Sequence, residues 1–529
     1  MAVPKHVALI GCGFSGTCAF YQLVDRYPVS RITIFEATGD FGPGYPYRLE
    51  DCPDYLINNT NDTMGILPSK RRAFLEWLRS RPDLAPEVDE KGHLPRSLFG
   101  HFLKDVISST RTSAAIKGIE VDLLAVEVTG IRELADGAVE LSWDGGHVAA
   151  DAAILTTGRC PDLENVPRPP SGGAIYIANH ICTDAFDAVP MDACVHLLGA
   201  SLSAYDVVNR LFSPSTGCVF RRNASGRLSY EPGPNDRRVV MCSRSGRLKS
   251  LQSQNSRSIT RAAFTKENLR SRAQAGKLSL ATLVDLITQD AERNGAALDL
   301  MAIGDPYADC LDAVQVNRRA GEFLVEAIAN ATEPSRTNFL VDFFRDAQGE
   351  TWDCFSERLL PGADERLYRS KFENAAMCFI APCPVETADK ILALHRAERL
   401  SIIKGVREIR LSQTGHYLVD HDHGTETAKV LVNTTNAVNR IVSHRDQPSL
   451  IRSLFDQGLL APYRCDGVEL PGAEIDMQTF RLPKSQNIYL ANMMLWGPGI
   501  YTSSAFIMGR IMSRLLSGMF NEETANTRN

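Results

Sequence analysis

The fold is decided by the stretch HVALIGCGFSGT, residues 6–17. Val7–Ile10 is a short apolar run of the kind that forms a buried strand, three glycines follow it, and residues 17–27 carry apolar side chains at helical spacing. A second apolar run, residues 30–35, is followed by Glu36, twenty residues after Gly16. The order strand, glycine turn, helix, strand and acid predicts a dinucleotide-binding unit.

Each part of this motif has a physical task. The first glycine permits the tight turn, the second lets a pyrophosphate approach the backbone, and the third lets helix and strand pack closely. The helix N-terminus offers amide donors to the phosphates, and the acid accepts hydrogen bonds from the ribose. The alternative is a glycine-rich turn that merely precedes a helix. The cofactor-binding residues predicted at this turn are Gly11, Gly13, Phe14, Ser15, Gly16 and Glu36.

Composition limits the class of protein. The chain has 529 residues and a formal charge of −6, which predicts two or three domains and excludes a strongly basic nucleic-acid binder. Thirteen cysteines at irregular spacing, with no C-x-x-C pair, indicate reduced thiols in a cytoplasm. We expect no membrane span, because the sequence has no run of eighteen apolar residues. We also expect no metal site, because His421 and His423 fit a solvated turn. No sequence repeat is detected.

A second strand, turn and helix follow at residues 194–211. CVHLL, residues 194–198, leads into Gly199 and then Ser201, Ser203 and an alanine where the first motif has glycines. This degenerate pattern is also compatible with an ordinary strand-to-helix turn. The next strand, residues 237–242, is followed by Arg244, where a guanidinium would suit the 2′-phosphate of NADPH better than NADH. A solvated basic loop is the alternative for this segment.

Other motifs resemble a known family. Residues 151–158 (DAAILTTG) and 427–436 (TAKVLVNTTN) are predicted strands that end in small-residue turns and bracket the second unit. Residues 42–47 (GPGYPY), 55–60 (YLINNT), Met64 and 93–100 (HLPRSLFG) complete the pattern. The chain thus resembles two-dinucleotide-binding flavoproteins, in particular the bacterial branch with urate hydroxylase-like proteins and aspartate N-hydroxylases. Residues 260–383 carry none of these motifs.

The resemblance implies FAD at the first turn and NADPH at the second. It also implies that the last helix, predicted over residues 501–516, directs its N-terminus at the flavin pyrimidine. The implied catalytic residues are Asn58, Asn59, Thr60 and Thr502, for which turn capping is the alternative role. The further cofactor-binding residues are Gly44, Tyr45, Met64, Arg96, Val128, Thr157, Gly158, Gly199, Ser201, Ser203, Arg244, Asn492 and Gly499.

The expected fold is α/β, with two Rossmann-like dinucleotide-binding domains and a helix-rich insertion. Residues 1–165 and 426–520 would form a discontinuous FAD-binding domain, and residues 190–425 an NADPH-binding domain with a helical insertion at about 255–400. A helix is expected over residues 386–404. We expect the Ser213–Asp236 segment to be a loop or hairpin.

The expected activity is that of an FAD-dependent, NADPH-preferring monooxygenase acting through a C4a-(hydro)peroxyflavin. Its substrate would be a small polar metabolite, with hydroxylation of an amino acid's amino group favoured over carbon hydroxylation. An oxidoreductase without oxygen transfer and a regulatory protein that keeps FAD structurally are the alternatives. The expected partners are the substrate, NADPH and O2, without nucleic acid or membrane, and homo-oligomerisation is left open.

Overall fold

The structure is a computed structural model that describes residues 3–85, 87–161, 166–181, 184–224, 226–435 and 439–520. Asn436, at the end of the predicted third strand and turn, lies outside the described residues. The strands are β1 (His6–Ile10), β2 (Arg31–Phe35), β3 (Glu120–Leu124), β4 (Gly130–Glu133), β5 (Val139–Trp143), β6 (Gly146–Ala150), β7 (Ala152–Leu155), β8 (Ile175–Ile177), β9 (Cys194–Leu198), β10 (Val219–Arg222), β11 (Leu228–Glu231), β12 (Arg238–Cys242), β13 (Leu400–Ile403), β14 (Glu408–Leu411), β15 (Tyr417–His421), β16 (Gly424–Ala428), β17 (Val430–Asn433), β18 (Pro462–Cys465), β19 (Val468–Ala473) and β20 (Ile488–Leu490).

The helices follow the same chain order. They are α1 (Phe14–Arg26), α2 (Ala73–Arg79), α3 (Arg96–Ile116), α4 (Leu202–Leu211), α5 (Lys266–Gln274), α6 (Leu280–Arg293), α7 (Leu300–Gly304), α8 (Ala313–Thr332), α9 (Phe339–Asp346), α10 (Gln348–Ser356), α11 (Gly362–Leu367), α12 (Glu373–Ile380), α13 (Val385–Arg396), α14 (Ser449–Asp456) and α15 (Ala505–Met519). Residues 368–372 form a π-helical turn between α11 and α12. Among the described residues, no helix has both the length and the apolar character that crossing a membrane requires.

Two five-stranded parallel sheets organise the chain. The first has the order β20-β7-β1-β2-β3 and the second the order β13-β12-β9-β17-β8. In the first sheet, Val7 of β1 pairs with Ile32 on one side and Ala152 on the other. In the second sheet, Val195 of β9 pairs with Val239 and Val430. The buried apolar runs therefore form central strands, and the predicted α/β fold class is confirmed.

The two sheets share one construction. In each, a strand, a glycine turn, a helix and a second strand are followed later by a three-stranded antiparallel sheet, β4-β5-β6 or β14-β15-β16. The strand after each of these small sheets, β7 or β17, then returns beside the first strand of its unit. The chain thus contains a topological repeat that its sequence does not reveal. The predicted hairpin within residues 213–236 is present as β10 and β11.

Several predicted boundaries were wrong. The helix expected over residues 386–404 ends at Arg396, because Glu398 has a left-handed φ of 57° and residues 400–403 form β13 beside β12. The last helix begins at Ala505 rather than at residue 501, since Tyr501 has a φ of 61°, which a right-handed helix excludes. The strand β17 belongs to the second sheet, so the return to the first sheet comes after residue 433 and not at 426.

The helical middle of the chain is divided between two hydrophobic cores. Residues from α5, α6, α9 and α10 pack in the core that contains β1 and α1, with Phe264, Leu286, Phe343 and Trp352 among them. Residues from α8 and α13 pack in the core that contains β9 and α4. The sequence suggested a single insertion in the second unit, and this prediction was wrong. The segment is anchored on both units.

The third glycine of the first turn provides a stability test. A Cβ at Gly16 would lie 2.2 Å from the carbonyl oxygen of Gly11, a backbone atom that has no room to move. We expect Gly16→Ala to lower the free energy of unfolding by about 1–3 kcal/mol, measured as a lower urea midpoint. Gly304→Ala is the matched control, because a Cβ there meets no atom within 4 Å. Equal midpoints for the two variants would contradict this packing.

Candidate dinucleotide sites

The first glycine turn is tied to the neighbouring strands by backbone and side-chain hydrogen bonds. The Gly11 amide donates to the Phe35 carbonyl at 2.8 Å, and the Thr156 hydroxyl donates to the Gly11 carbonyl at 2.6 Å. Gly11 has a φ of 100°, and a Cβ there would lie 2.6 Å from the Thr156 carbonyl oxygen. Only glycine fits this position, as the sequence predicts.

The helix after the turn begins without a side-chain cap. Gly13 is the N-cap residue of α1, no side chain accepts from the first amides, and the first turn contains no acid. This arrangement suits an anion such as a phosphate. A Cβ at Gly13 would lie 3.2 Å from the Cα of Gly44, so the backbone of Gly44 packs against Gly13. Gly44 has a φ of 58° and completes this close contact.

The Glu36 side chain is hydrogen-bonded to the first glycine turn. One carboxylate oxygen accepts from the Cys12 amide at 2.9 Å, and the other accepts from the amide and hydroxyl of Thr38 at 3.1 and 2.9 Å. Since β1 and β2 are parallel, their ends reach the same edge of the sheet, where dinucleotides bind in this fold. The predicted ribose acceptor is therefore held at the glycine turn.

The ends of β7 and β20 meet at the same edge. The buried Asn492 donates from Nδ2 to the Thr157 hydroxyl at 3.0 Å and accepts the Met494 amide at 2.9 Å. The Met493 amide donates to the Gly158 carbonyl at 3.1 Å. Asn492 is thus brought to the adjacent Thr157 and Gly158, although it lies more than 330 positions away in the chain.

The loop of residues 58–64 approaches the start of the last helix. Asn59 donates to the sulfur of the buried Met64 at 3.7 Å, and both line a narrow cleft with Ala505. The Asn58 carbonyl accepts from Gln252, while the Thr60 hydroxyl donates to Asp62 at 2.7 Å. Thr60 is the N-cap residue of the turn of residues 61–63, but its side chain accepts no capping hydrogen bond.

The remaining predicted residues of the first site are distributed more widely. Thr502 is buried, and its hydroxyl lies 4.0 Å from the Met493 sulfur. Val128 is 4% exposed and packs in the first core. The Tyr45 hydroxyl donates to Asn179 at 2.6 Å, and Arg159 stacks over its ring. Tyr45 therefore lies where the two units meet.

Sequence reasoning missed the clamp on the loop before α15. Arg369, from the π-helical turn, donates to the carbonyls of Gly497 and Gly499 at 2.6 and 3.0 Å. Its charge is balanced by Glu373 at 2.9 Å and Glu365 at 3.4 Å. No spacing signal could have identified this clamp, because its two sides lie about 130 residues apart.

The second glycine turn repeats the first. The Gly199 amide donates to the Cys242 carbonyl at 2.7 Å, and the Thr434 hydroxyl donates to the Leu198 carbonyl at 2.6 Å. Gly199 has a φ of 114° and lies against Thr434. Ser201 is the N-cap residue of α4, yet its side chain accepts no capping hydrogen bond. The degenerate motif therefore keeps the geometry of the first turn, with Ser203 buried in α4.

Of the basic residues after β12, one has a free side chain. Arg244 is exposed, and its guanidinium makes no hydrogen bond or ion pair within the part of the chain that the structure describes. Arg247 instead donates to the Ile303 and Gly304 carbonyls at 2.6 and 2.8 Å. Lys249 is buried and donates to the Met377 carbonyl, and burial lowers the pKa of its ammonium group. Arg244 alone of these three is free for a phosphate.

The two units are joined by a buried ion pair. Arg96, at the start of α3, lies 2.9 Å from Asp206 of α4 and also donates to the Leu56 carbonyl. Its guanidinium is thus engaged across the units, and its assignment to the cofactor stays a prediction. His93 and Gln252 add a second connection through a 2.7 Å hydrogen bond.

The comparisons with known proteins agree with this architecture. A family model described as FAD-NAD(P)-binding matches residues 8–160. Over 217 residues the chain is 25% identical to the Escherichia coli (strain K12) protein named "Uncharacterized protein YdhS". That match covers 38% of this chain and only 38% of the length of the relative.

Two solved structures are similar over nearly the whole chain. One is the FAD-bound cadaverine monooxygenase of desferrioxamine biosynthesis from Erwinia amylovora, with 10% identity, coverage of 99% and 96% of the two chains, and a TM-score of 0.57. The other is L-lysine 6-monooxygenase from Pseudomonas syringae, with 15% identity, coverage of 98% and 99%, and a TM-score of 0.51. The chain therefore has the fold of flavin monooxygenases with two dinucleotide-binding units.

A buried carboxyl beside the Arg96–Asp206 pair makes stability depend on pH. Asp51 is 6% exposed, and neither carboxyl oxygen has a hydrogen-bond partner. Burial, only partly offset by the charges of Arg48 and Arg96, raises the pKa of Asp51 from 3.8 to about 6. Well below pH 3.8 the group is protonated in the folded and unfolded states, and above about pH 6 the folded state carries a buried charge.

We therefore expect Asp51→Asn to raise the free energy of unfolding at pH 7.5 by about 2 kcal/mol, with most of this gain lost at pH 4. Urea unfolding at both pH values checks this. Glu127→Gln, at an exposed residue that is not among the charges acting on Asp51, serves as the control. A gain of equal size at both pH values would show that it does not come from the Asp51 charge.

Proposed function

We propose that the protein is an FAD-dependent, NADPH-preferring monooxygenase that hydroxylates a small polar metabolite, in the first place the amino group of an amino acid. The observation that carries this proposal is the pair of uncapped glycine turns of like geometry, one in each parallel sheet, in a chain whose fold is that of N-hydroxylating flavin monooxygenases.

FAD fits the first turn. The uncapped amides of α1, with Phe14 and Ser15, would hold the pyrophosphate, and Glu36 would hold the ribose. Thr157, Gly158, Asn492 and Gly499 lie farther along the same edge, toward α15, where the ring system would extend. When bound, FAD supplies the redox chemistry, accepting hydride from NADPH and activating O2.

NADPH fits the second turn. The uncapped amides of α4, with Ser201 as N-cap, would hold its pyrophosphate, and Arg244 lies after the next strand, β12. The free guanidinium would bind the 2′-phosphate with charge-assisted hydrogen bonds. The proposed FAD domain comprises the first sheet with the C-terminal part, and the proposed NADPH domain the second sheet.

The protein's own contribution is to orient the reactants and exclude water. The Arg369 clamp fixes the loop before α15, and the buried Thr502 hydroxyl follows that loop. Asn58 and Asn59 belong to the loop that approaches the start of α15. The Asn58 carbonyl accepts a hydrogen bond from Gln252 of the second unit. We propose the predicted set, Asn58, Asn59, Thr60 and Thr502, as the residues that hydrogen-bond the substrate.

The first experiment is the visible spectrum of the purified protein before and after anaerobic addition of NADPH, followed by O2 and an amino-acid series with product analysis. Yellow protein that bleaches and then forms hydroxylated product agrees with the proposal. Bleaching without oxygen transfer to any amino acid, but with turnover of another electron acceptor, would make the protein an oxidoreductase. Protein that stays colourless with added FAD would contradict the proposal.

Arg244 provides the test of coenzyme choice. We expect Arg244→Ala to raise the KM for NADPH roughly 10- to 150-fold, which corresponds to a loss of about 1.5–3 kcal/mol of binding free energy. The KM for NADH should stay nearly unchanged. Steady-state NADPH and NADH oxidation at constant ionic strength measures both. Arg238→Ala is the matched control, because Arg238 is exposed at the opposite end of the same strand. Equal increases for both coenzymes would remove Arg244 from the 2′-phosphate site.

A further inference from the structure

Trp496 is held rigidly at the flavin edge of the first sheet. It lies in the short helical turn of residues 493–496, whose first amide donates to the Gly158 carbonyl. Its indole Nε1 donates to Glu373 at 2.6 Å, and Glu373 is in turn paired with Arg369 at 2.9 Å. The position of the Trp496 ring is therefore set by the same network that clamps Gly497 and Gly499.

Arg440 lies over this ring. The centre of its guanidinium is 4.7 Å from the ring centroid of Trp496. The backbone beside it is fixed on both sides, since the Arg440 carbonyl accepts from the Gly472 amide at 2.7 Å and the Asn439 amide donates to the Pro161 carbonyl at 2.6 Å. The guanidinium is thus placed by its surroundings and is not a mobile surface group.

This guanidinium lacks the partner that its charge calls for. Its Nε is buried without a hydrogen-bond partner, and no carboxylate of the described residues forms an ion pair with it. Glu373 is close enough to act on it electrostatically, but its Oε1 already accepts from Arg369 and Trp496. A buried donor without an acceptor destabilises the folded protein, and more so when it is charged. Such a cost is explained when a ligand completes the site.

The charges nearby select the kind of ligand. Arg369 and Arg440 carry two positive charges and Glu365 and Glu373 two negative ones, so the cluster is neutral in sum. A phosphate dianion would add two negative charges to this neutral cluster, whereas a carboxylate adds one and matches the forked donors of the guanidinium that has no ion-pair partner. We propose that Arg440, seated on Trp496, binds the carboxylate of the substrate.

This inference rests on the proposed function and narrows its substrate. If the hydroxylated group is an amino group, as proposed, a substrate held through a carboxylate is an amino acid, and the corresponding decarboxylated diamine would lack the group that Arg440 binds. The protein would then differ in specificity from the cadaverine monooxygenase whose fold it shares. Amino acids should therefore be accepted in preference to the amines that decarboxylation makes from them.

The direct test is binding of acetate, the simplest carboxylate, to the purified flavin-loaded protein, followed by tryptophan fluorescence. Acetamide is the matched neutral probe, and sodium chloride keeps the ionic strength constant. We expect a saturable change with acetate and none with acetamide, and Trp496→Phe should abolish the change. Arg440→Gln should weaken acetate binding at least tenfold, and Arg440→Lys should weaken it less. Arg445→Gln, at an exposed residue of the same segment, should bind acetate like the parent protein.

Several outcomes would overturn the proposal. The first is the absence of a saturable acetate response. The second is an unchanged acetate affinity in Arg440→Gln. If that variant also has a shifted flavin spectrum, Arg440 lies at the flavin instead. If Arg440→Gln does not fold, Arg440→Lys decides, because it keeps the charge and loses the fork.

A second arm compares NADPH oxidation with L-lysine against cadaverine and L-ornithine against putrescine. Faster turnover of either diamine than of its amino acid would also overturn the proposal. Acetate binding needs neither NADPH nor O2. A protein that binds acetate at Arg440 but does not reduce its flavin would therefore refute the proposed function and leave the anion site in place.

Discussion

The structure depends on one contact, made twice, between a glycine turn and a threonine at the end of the adjacent parallel strand. At Gly11 the Thr156 hydroxyl bonds the turn itself, and at Gly199 the Thr434 hydroxyl bonds the residue before it. Both glycines have φ near 100°, which leaves no room for a side chain. The contact holds the glycine turn beside the adjacent strand, and the helix that begins at each turn carries the amides proposed to hold a pyrophosphate.

This constraint explains why much of the fold could be predicted from sequence. A buried strand, a turn that needs glycine and an amphipathic helix are local patterns, so β1, α1, β9 and β12 fall within one to three residues of their expected limits. The predictions failed where a short apolar run has no local determinant. Residues 400–403 are compatible with helix or strand by pattern, and the neighbouring strand β12 decides.

The candidate site divides in the same way. Glu36 follows β2, and Thr157 and Asn492 follow β7 and β20, so the ends of parallel strands bring them together and sequence reasoning could place them. The partners of Arg96 and Tyr45 lie 110 and 134 residues away in the other unit, and no spacing rule connects them. Arg369 is the extreme case, because its segment carries no recognisable motif and its role is visible only where it meets Gly497.

The division of the helical segment between two cores has a mechanical consequence. Helices α9 and α10 are fixed on the first unit, and α8 and α13 on the second, while Arg96 and Gln252 connect the units near the catalytic candidates. A change in the relation of the two units would therefore strain the helical segment, whose Arg369 holds the loop before α15. The same arginine network holds Trp496 and, through it, the place of Arg440. The proposed coenzyme site in the second unit and the proposed carboxylate site beside the first are thus joined by one connected set of contacts.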